Sequence, residues 1–344
     1  MLLLALLSLL SSWNALADVT VDAVADTAVD AAADIAAVVR PVAQEFRFQD
    51  GGAAIFYTLD RVGGRVPSLP ADSMSQPDHL VFVIAGAGCR SMGSLLPDYF
   101  TGLDGERFPI RILILQKRYI APRADGQHCS DAFVEADHPS QWLADQREFI
   151  ERQLALHLQQ QQKQQQQRRR DQHSRIVLMG ISEGAEPASL LALQLPVSHV
   201  VLLSHSGLAP LNLYRQLAAD YPHMREGWRV VSAALSAAQP DQAQRIHGRS
   251  WRYWSESARV QPSSALLAWN RPVLIGAGEA DPLVPVQALH ALQKQFADAE
   301  NPHLTVRIFP DADHGLRSKN RNYLPDFMHQ IELWLDDAHG IETH

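Results

Sequence analysis

One five-residue stretch has the residue types and spacing for nucleophilic chemistry: Gly180-Ile181-Ser182-Glu183-Gly184. It matches G-x-S-x-G, in which a serine on a sharp strand-to-helix turn holds its hydroxyl clear of the backbone. The apolar run RIVLM before it and AEPASLLALQL after it supply the strand and the helix that such a turn needs. Gly180 and Gly184 are required because neighbouring segments crowd the turn and leave no room for a Cβ. The start of a helix beside the hydroxyl also favours developing negative charge.

A serine hydroxyl needs a base, and the base needs a carboxylate to orient it. On a sheet of this kind the partners follow in the order Ser, Asp or Glu, then His. The run PVLIGAG leads into Glu279-Ala280-Asp281-Pro282-Leu283-Val284-Pro285, and LTVRIFPDA leads into Asp313-His314-Gly315. The expected triad is therefore Ser182, Asp281 and His314. Asp281 could instead cap the turn before Pro282, with Glu279 or Asp313 as the substitute acid. His205, in Leu203-Ser204-His205-Ser206-Gly207, also sits at a strand end. It is read as lining or structural, because a late histidine fits the chain order better.

These residues need a frame. Strands are expected at 45–49 and 53–59, as a hairpin around Asp50-Gly51-Gly52, and then at 80–85, 110–115, 175–179, 199–204, 272–276 and 304–309. Helices are expected at 91–99, 142–158, 185–195, 286–297 and 324–335. Continuous apolar strands alternating with amphipathic helices imply a mostly parallel sheet covered on both faces. The stretch 208–269 interrupts the alternation with helical patterns near 211–219 and 228–238. It reads as a helical cap whose aromatic residues, Tyr214, Trp228, Trp251, Tyr253 and Trp254 among them, form mostly its own core.

GISEGA, the G-E-A-D-P-L-V-P stretch and the D-H-G stretch, in that order, resemble the α/β-hydrolase superfamily over about 80–335. The G-x-x-D-x-x-V-P form leans towards the dienelactone hydrolase and prolyl-oligopeptidase-like branch. The resemblance implies an α/β-hydrolase fold and an acyl-enzyme mechanism with Ser182 as nucleophile, His314 as base and then acid, and Asp281 orienting the imidazole. It implies no cofactor and no metal. The expected substrate is a small ester or thioester. A short peptide or amide is the alternative, acyl transfer would use the same triad, and a non-catalytic binding protein is the rival from another class.

The tetrahedral intermediate needs two backbone donors. One is expected from Glu183, the residue after the nucleophile. The other is expected from the turn Gly86-Ala87-Gly88-Cys89-Arg90, with Cys89 first and Gly88 second. A Cys89–Cys129 disulfide would tie this turn to the loop after the 110–115 strand and steady the donor.

Composition sets the remaining bounds. At 344 residues and 46% hydrophobic content the chain can bury a full core, and its two cysteines exclude a multi-cysteine zinc site or an iron–sulfur cluster. A formal charge of −8 argues against a nucleic-acid surface. Residues 1–17 read as a secretory signal peptide ending at Ala15-Leu16-Ala17, without a basic n-region and too short to span a bilayer comfortably. A periplasmic or secreted location follows, and an oxidising compartment permits the disulfide. Residues 18–44 read as a low-complexity Ala/Val/Asp spacer, with an aspartate every fourth residue from Asp18 to Asp34. Calcium binding there would need glycine and carbonyl ligands as well. Residues 159–170 read as a solvated Gln/Arg surface segment rather than an RNA contact, within a hydrolase domain at 45–344.

Overall fold

The computed structural model describes residues 41–63, 79–165, 175–238 and 241–337. The leader at 1–17, the aspartate run from Asp18 to Asp34 and the arginines at 168–170 lie outside the described residues.

Among the described residues ten strands form two sheets. The main sheet contains β1 (Gln44–Arg47), β2 (Ala53–Arg61), β3 (His79–Ile84), β4 (Ile110–Leu115), β5 (Arg175–Ile181), β6 (His199–Leu203), β9 (Val273–Gly278) and β10 (Leu304–Phe309). Its order is β1-β2-β4-β3-β5-β6-β9-β10. β1 pairs antiparallel with β2, and β2 antiparallel with β4; the other pairs are parallel. The chain moves outward in one direction after β3 and in the other after β5. The carboxyl ends of these two neighbours therefore open the crevice where α/β sheets bind ligands.

Alternation along the strands builds two cores. Leu80, Phe82 and Ile84 of β3 face one side with Leu178 and Val200, while Val81 and Val83 face the other with Val177 and Val201. The first side is covered by α2 (Pro139–Gln165), α3 (Ala185–Ala192), α7 (Pro262–Trp269) and α8 (Val286–Asp298); the second is covered chiefly by α9 (Leu324–Asp337). α2 runs on to Gln165, so the first glutamines of the 159–170 segment continue a helix.

Two local expectations differ from the structure. The helix expected at 91–99 is two 3-10 turns, Met92–Ser94 and Asp98–Phe100. Pro97 lies between them, and proline lacks the N–H that a continuing helix requires. Within 208–269, a small aromatic core joins α4 (Pro210–Asp220), α5 (Arg225–Ser236) and α6 (Trp251–Ser257). A two-stranded hairpin, β7 (Arg245–Ile246) and β8 (Arg249–Ser250), sits between α5 and α6. Leu266 and Trp269 of α7 instead pack into the main sheet core, so this last helix supports the body rather than the cap.

Candidate active site

Ser182 follows β5 at φ +52°, in the left-handed region that a non-glycine residue occupies at a cost. The two glycines hold it there by their lack of side chains. A Cβ on Gly180 would lie 2.4 Å from Ala185 Cα, and one on Gly184 would lie 2.1 Å from the Ile84 carbonyl oxygen. The helix behind the serine can thus press against β3 and β5 only if both positions are bare.

Two further strand ends, those of β9 and β10, deliver the other groups. His314 Nε2 lies 2.9 Å from Ser182 Oγ, and His314 Nδ1 lies 2.8 Å from Asp281 Oδ2. A carboxylate only accepts, so Nδ1 carries the proton and Nε2 is free to accept from the serine. The Asp281 side chain is fully buried and that of His314 keeps some access to solvent. Asp281 also caps its turn: Oδ1 accepts the N–H groups of Leu283 at 2.8 Å and Val284 at 3.2 Å. One oxygen holds the loop and the other faces the imidazole.

The competing residues have other partners. Asp313 Oδ1 accepts from the backbone of Gly315 and Arg317, and Glu279 accepts from Asp311 N–H at 3.4 Å. His205 Nδ1 accepts from Gly207 N–H at 2.9 Å. Burial, and after it the charge of His314, push the His205 imidazole down to about 4, so it is neutral at ordinary pH. Its neighbour Ser204 donates its hydroxyl to the His314 carbonyl at 2.6 Å and steadies the loop that carries that imidazole, a contact that sequence reading missed.

In the turn after β3, a Cβ on Gly86 would lie 3.2 Å from Ser182 Cβ and 3.1 Å from Ile181 O. Gly88 has φ +83° and open space where its Cβ would be. Cys89 is buried and bonded to Cys129, which joins this turn to the loop following β4.

The sequence points to the Glu183 N–H, but its side chain is also engaged. The carboxylate accepts Lys117 Nζ at 2.7 Å, the Tyr253 hydroxyl at 2.9 Å and Arg249 Nη2 at 3.2 Å. Burial alone would raise this carboxyl, but the Arg249 and Lys117 cations and the hydrogen bonds from Lys117 and Tyr253 outweigh it and hold it at about 2. Glu186 is pushed the other way, well above the usual carboxylate range, by burial and by the charge of Glu183. Among the described residues no group of three or more His, Cys, Asp or Glu side chains could hold a metal ion. No described helix is long and apolar enough to cross a membrane.

Residues 227–333 match the family model described as Dienelactone hydrolase family, a span that includes Asp281 and His314. Among solved structures, Est1E from Butyrivibrio proteoclasticus aligns with a TM-score of 0.52 at 16% identity, covering 86% of this chain and 99% of that one. The same protein with ferulic acid bound aligns at 0.49 and 15%, covering 82% and 95%. The esterase domain of a Rhodothermus marinus protein aligns at 0.48 and 14%, covering 86% and 98%. A comparison with the curated proteins finds no matching relative. The sheet order, the elbow and the first of these alignments agree: the chain has the α/β-hydrolase fold, and its residues 227–333 match the dienelactone hydrolase family model.

Proposed function

We propose that the protein is a serine hydrolase that cleaves a carboxylic ester or thioester through an acyl-enzyme. The observation that carries this reading is the continuous relay from Ser182 Oγ through His314 to Asp281, with links of 2.9 and 2.8 Å. Both lie within the range for nucleophile–base and base–orienter contacts.

In the first half-reaction, Ser182 Oγ forms a bond to the carbonyl carbon as His314 Nε2 takes its proton. The carbonyl π electrons move to oxygen, and backbone donors receive that negative charge: the Glu183 N–H and one from the turn between Gly86 and Arg90. The tetrahedral species collapses, the bond to the alcohol or thiol breaks, and His314 returns the proton to the leaving group. Water then attacks the acyl-serine by the same route, releasing the acid and restoring the Ser182 hydroxyl. Asp281 stays ionised and holds the imidazole in the required tautomer. His205, neutral and bonded through Nδ1, does not compete as base.

The family match supports ester chemistry, since a lactone is a cyclic ester. Tyr214, Trp251 and Trp254 of the cap are buried in the cap's own core. The Cys89–Cys129 bridge supports export to an oxidising compartment, as the leader suggests.

A serine-directed fluorophosphonate tests the proposal on the full chain and on Ser182→Ala, beside a panel of acyl esters, thioesters and aminoacyl amides. The expected result is label on Ser182, none on the variant, and turnover of short esters ahead of amides. Absence of both labelling and turnover in folded protein would overturn it.

A further inference from the structure

The side chain of Glu183 belongs to a buried box of charges that joins the cap to the nucleophile elbow. A second carboxylate, Asp137, accepts Lys117 Nζ at 2.8 Å and Trp142 Nε1 at 3.0 Å, and it pairs with Arg249. Arg249 thus spans both acids, with one guanidinium nitrogen on Asp137 and the other on Glu183. Lys117 spans the same two acids from the other side. The box holds two cations and two anions, so its charge closes to zero. Aromatic faces complete it: Arg249 lies 4.4 Å from the Tyr253 ring centroid, and Lys117 lies 4.0 Å from that of Trp142.

The members come from separate parts of the fold. Lys117 follows β4, Asp137 ends α1 (Asp131–Ala136), and Glu183 is the residue after the nucleophile. Arg249 and Tyr253 belong to the cap. Glu183 is therefore held at two points, by its peptide within the elbow and by its carboxylate within the box. Ser182 is in the left-handed region, so the peptide between the two residues depends on surrounding contacts to keep its direction.

We propose that Arg249 is a positioning residue for the reaction: through the Glu183 carboxylate it fixes the direction of the Glu183 N–H that receives the oxyanion. The proposal rests on the serine hydrolase reading and deepens it. It makes the seated cap part of the catalytic geometry rather than only a roof. Without Arg249, Asp137 and Glu183 would face each other with Lys117 as their one shared cation. Buried like charges repel, and Glu183 would swing away and turn its N–H with it. The donor acts chiefly on the charge that develops in the transition state, so the loss appears in kcat and not in substrate affinity.

The test compares the full-length wild type with Arg249→Met, Arg249→Lys and Arg245→Met on the best ester of the panel. Arg245 lies on the same hairpin and ties the cap to Asp131 and Glu135 at an exposed site, without touching Glu183. Expected for Arg249→Met is a fall of about 10- to 100-fold in kcat, with KM within twofold and boronate (tetrahedral mimic) affinity falling in step. Arg249→Lys recovers part of the loss, and Arg245→Met changes kcat less than twofold. If Arg249→Met does not fold, the double variant Arg249→Met with Glu183→Gln removes one cation and one anion together, restores neutrality and keeps the N–H; it then carries the test, with kcat at least tenfold below wild type and KM within twofold. An unchanged kcat in Arg249→Met, a loss confined to KM, or an equal loss in Arg245→Met would overturn the proposal. Failure of the wild type to take the fluorophosphonate label is a separate result, directed at the serine hydrolase reading.

Discussion

Replacing Asp281 with asparagine separates the two jobs of this side chain. Oδ1 holds the turn through the N–H groups of Leu283 and Val284, and Oδ2 faces His314 Nδ1. An asparagine can keep its carbonyl oxygen in the first position and must then present its NH₂ in the second. The turn is retained, and the stability cost is that of one charge-assisted hydrogen bond, about 1.5–3 kcal/mol. The effect on chemistry is larger. An NH₂ cannot accept from Nδ1–H, so the imidazole moves its proton to Nε2, where it blocks acceptance from Ser182. In serine proteases the same change lowers kcat by about 10⁴, equivalent to roughly 5.4 kcal/mol at 1.36 kcal/mol per decade. We expect a fall of about 10³–10⁴ in kcat for Asp281→Asn, read by ester hydrolysis under saturating substrate, with circular dichroism unchanged. Asp313→Asn, whose acceptor contacts are to backbone N–H groups, should lose less than tenfold. The reasoning is refuted if folded Asp281→Asn keeps more than a tenth of wild-type kcat.

Two further outcomes follow from the site's surroundings. The raised Glu186 carboxyl favours the folded state fully below its unfolded value of about 4.5, and this contribution is lost as pH rises towards its folded value; Glu186→Gln should therefore raise Tm at pH 8 but not at pH 4, and a pH-independent difference by scanning calorimetry would contradict the assignment. Reduction of Cys89–Cys129, which closes a separation of 40 residues, should lower stability by up to about 4 kcal/mol by loop entropy and reduce turnover severalfold while the protein stays folded at 25 °C; equal activity after verified complete reduction would show that the bridge does not steady the turn after β3.

What the sequence could determine by itself is local. The elbow is legible because its serine, its glycines and its flanking strand and helix are contiguous from Arg175 to Ala192. The strands at 110–115 and 304–309 are legible because buried parallel strands are unbroken apolar runs. The order Ser182, Asp281, His314 is legible because strand ends on a doubly covered sheet share one edge. Only the tertiary structure decided that Asp281 serves both its turn and the imidazole, that Ser204 supports the His314 loop, and that Pro262–Trp269 packs on the sheet rather than in the cap. The charge box is the clearest case. Lys117, Asp137, Glu183, Arg249 and Tyr253 are scattered over more than a hundred residues; Lys117, Asp137 and Arg249 look like ordinary surface charges, Glu183 stands out only for its N–H, and Tyr253 only as a cap aromatic. Whether a charge is solvated or buried against its opposite depends on which segments the fold brings together, and no local periodicity carries that information.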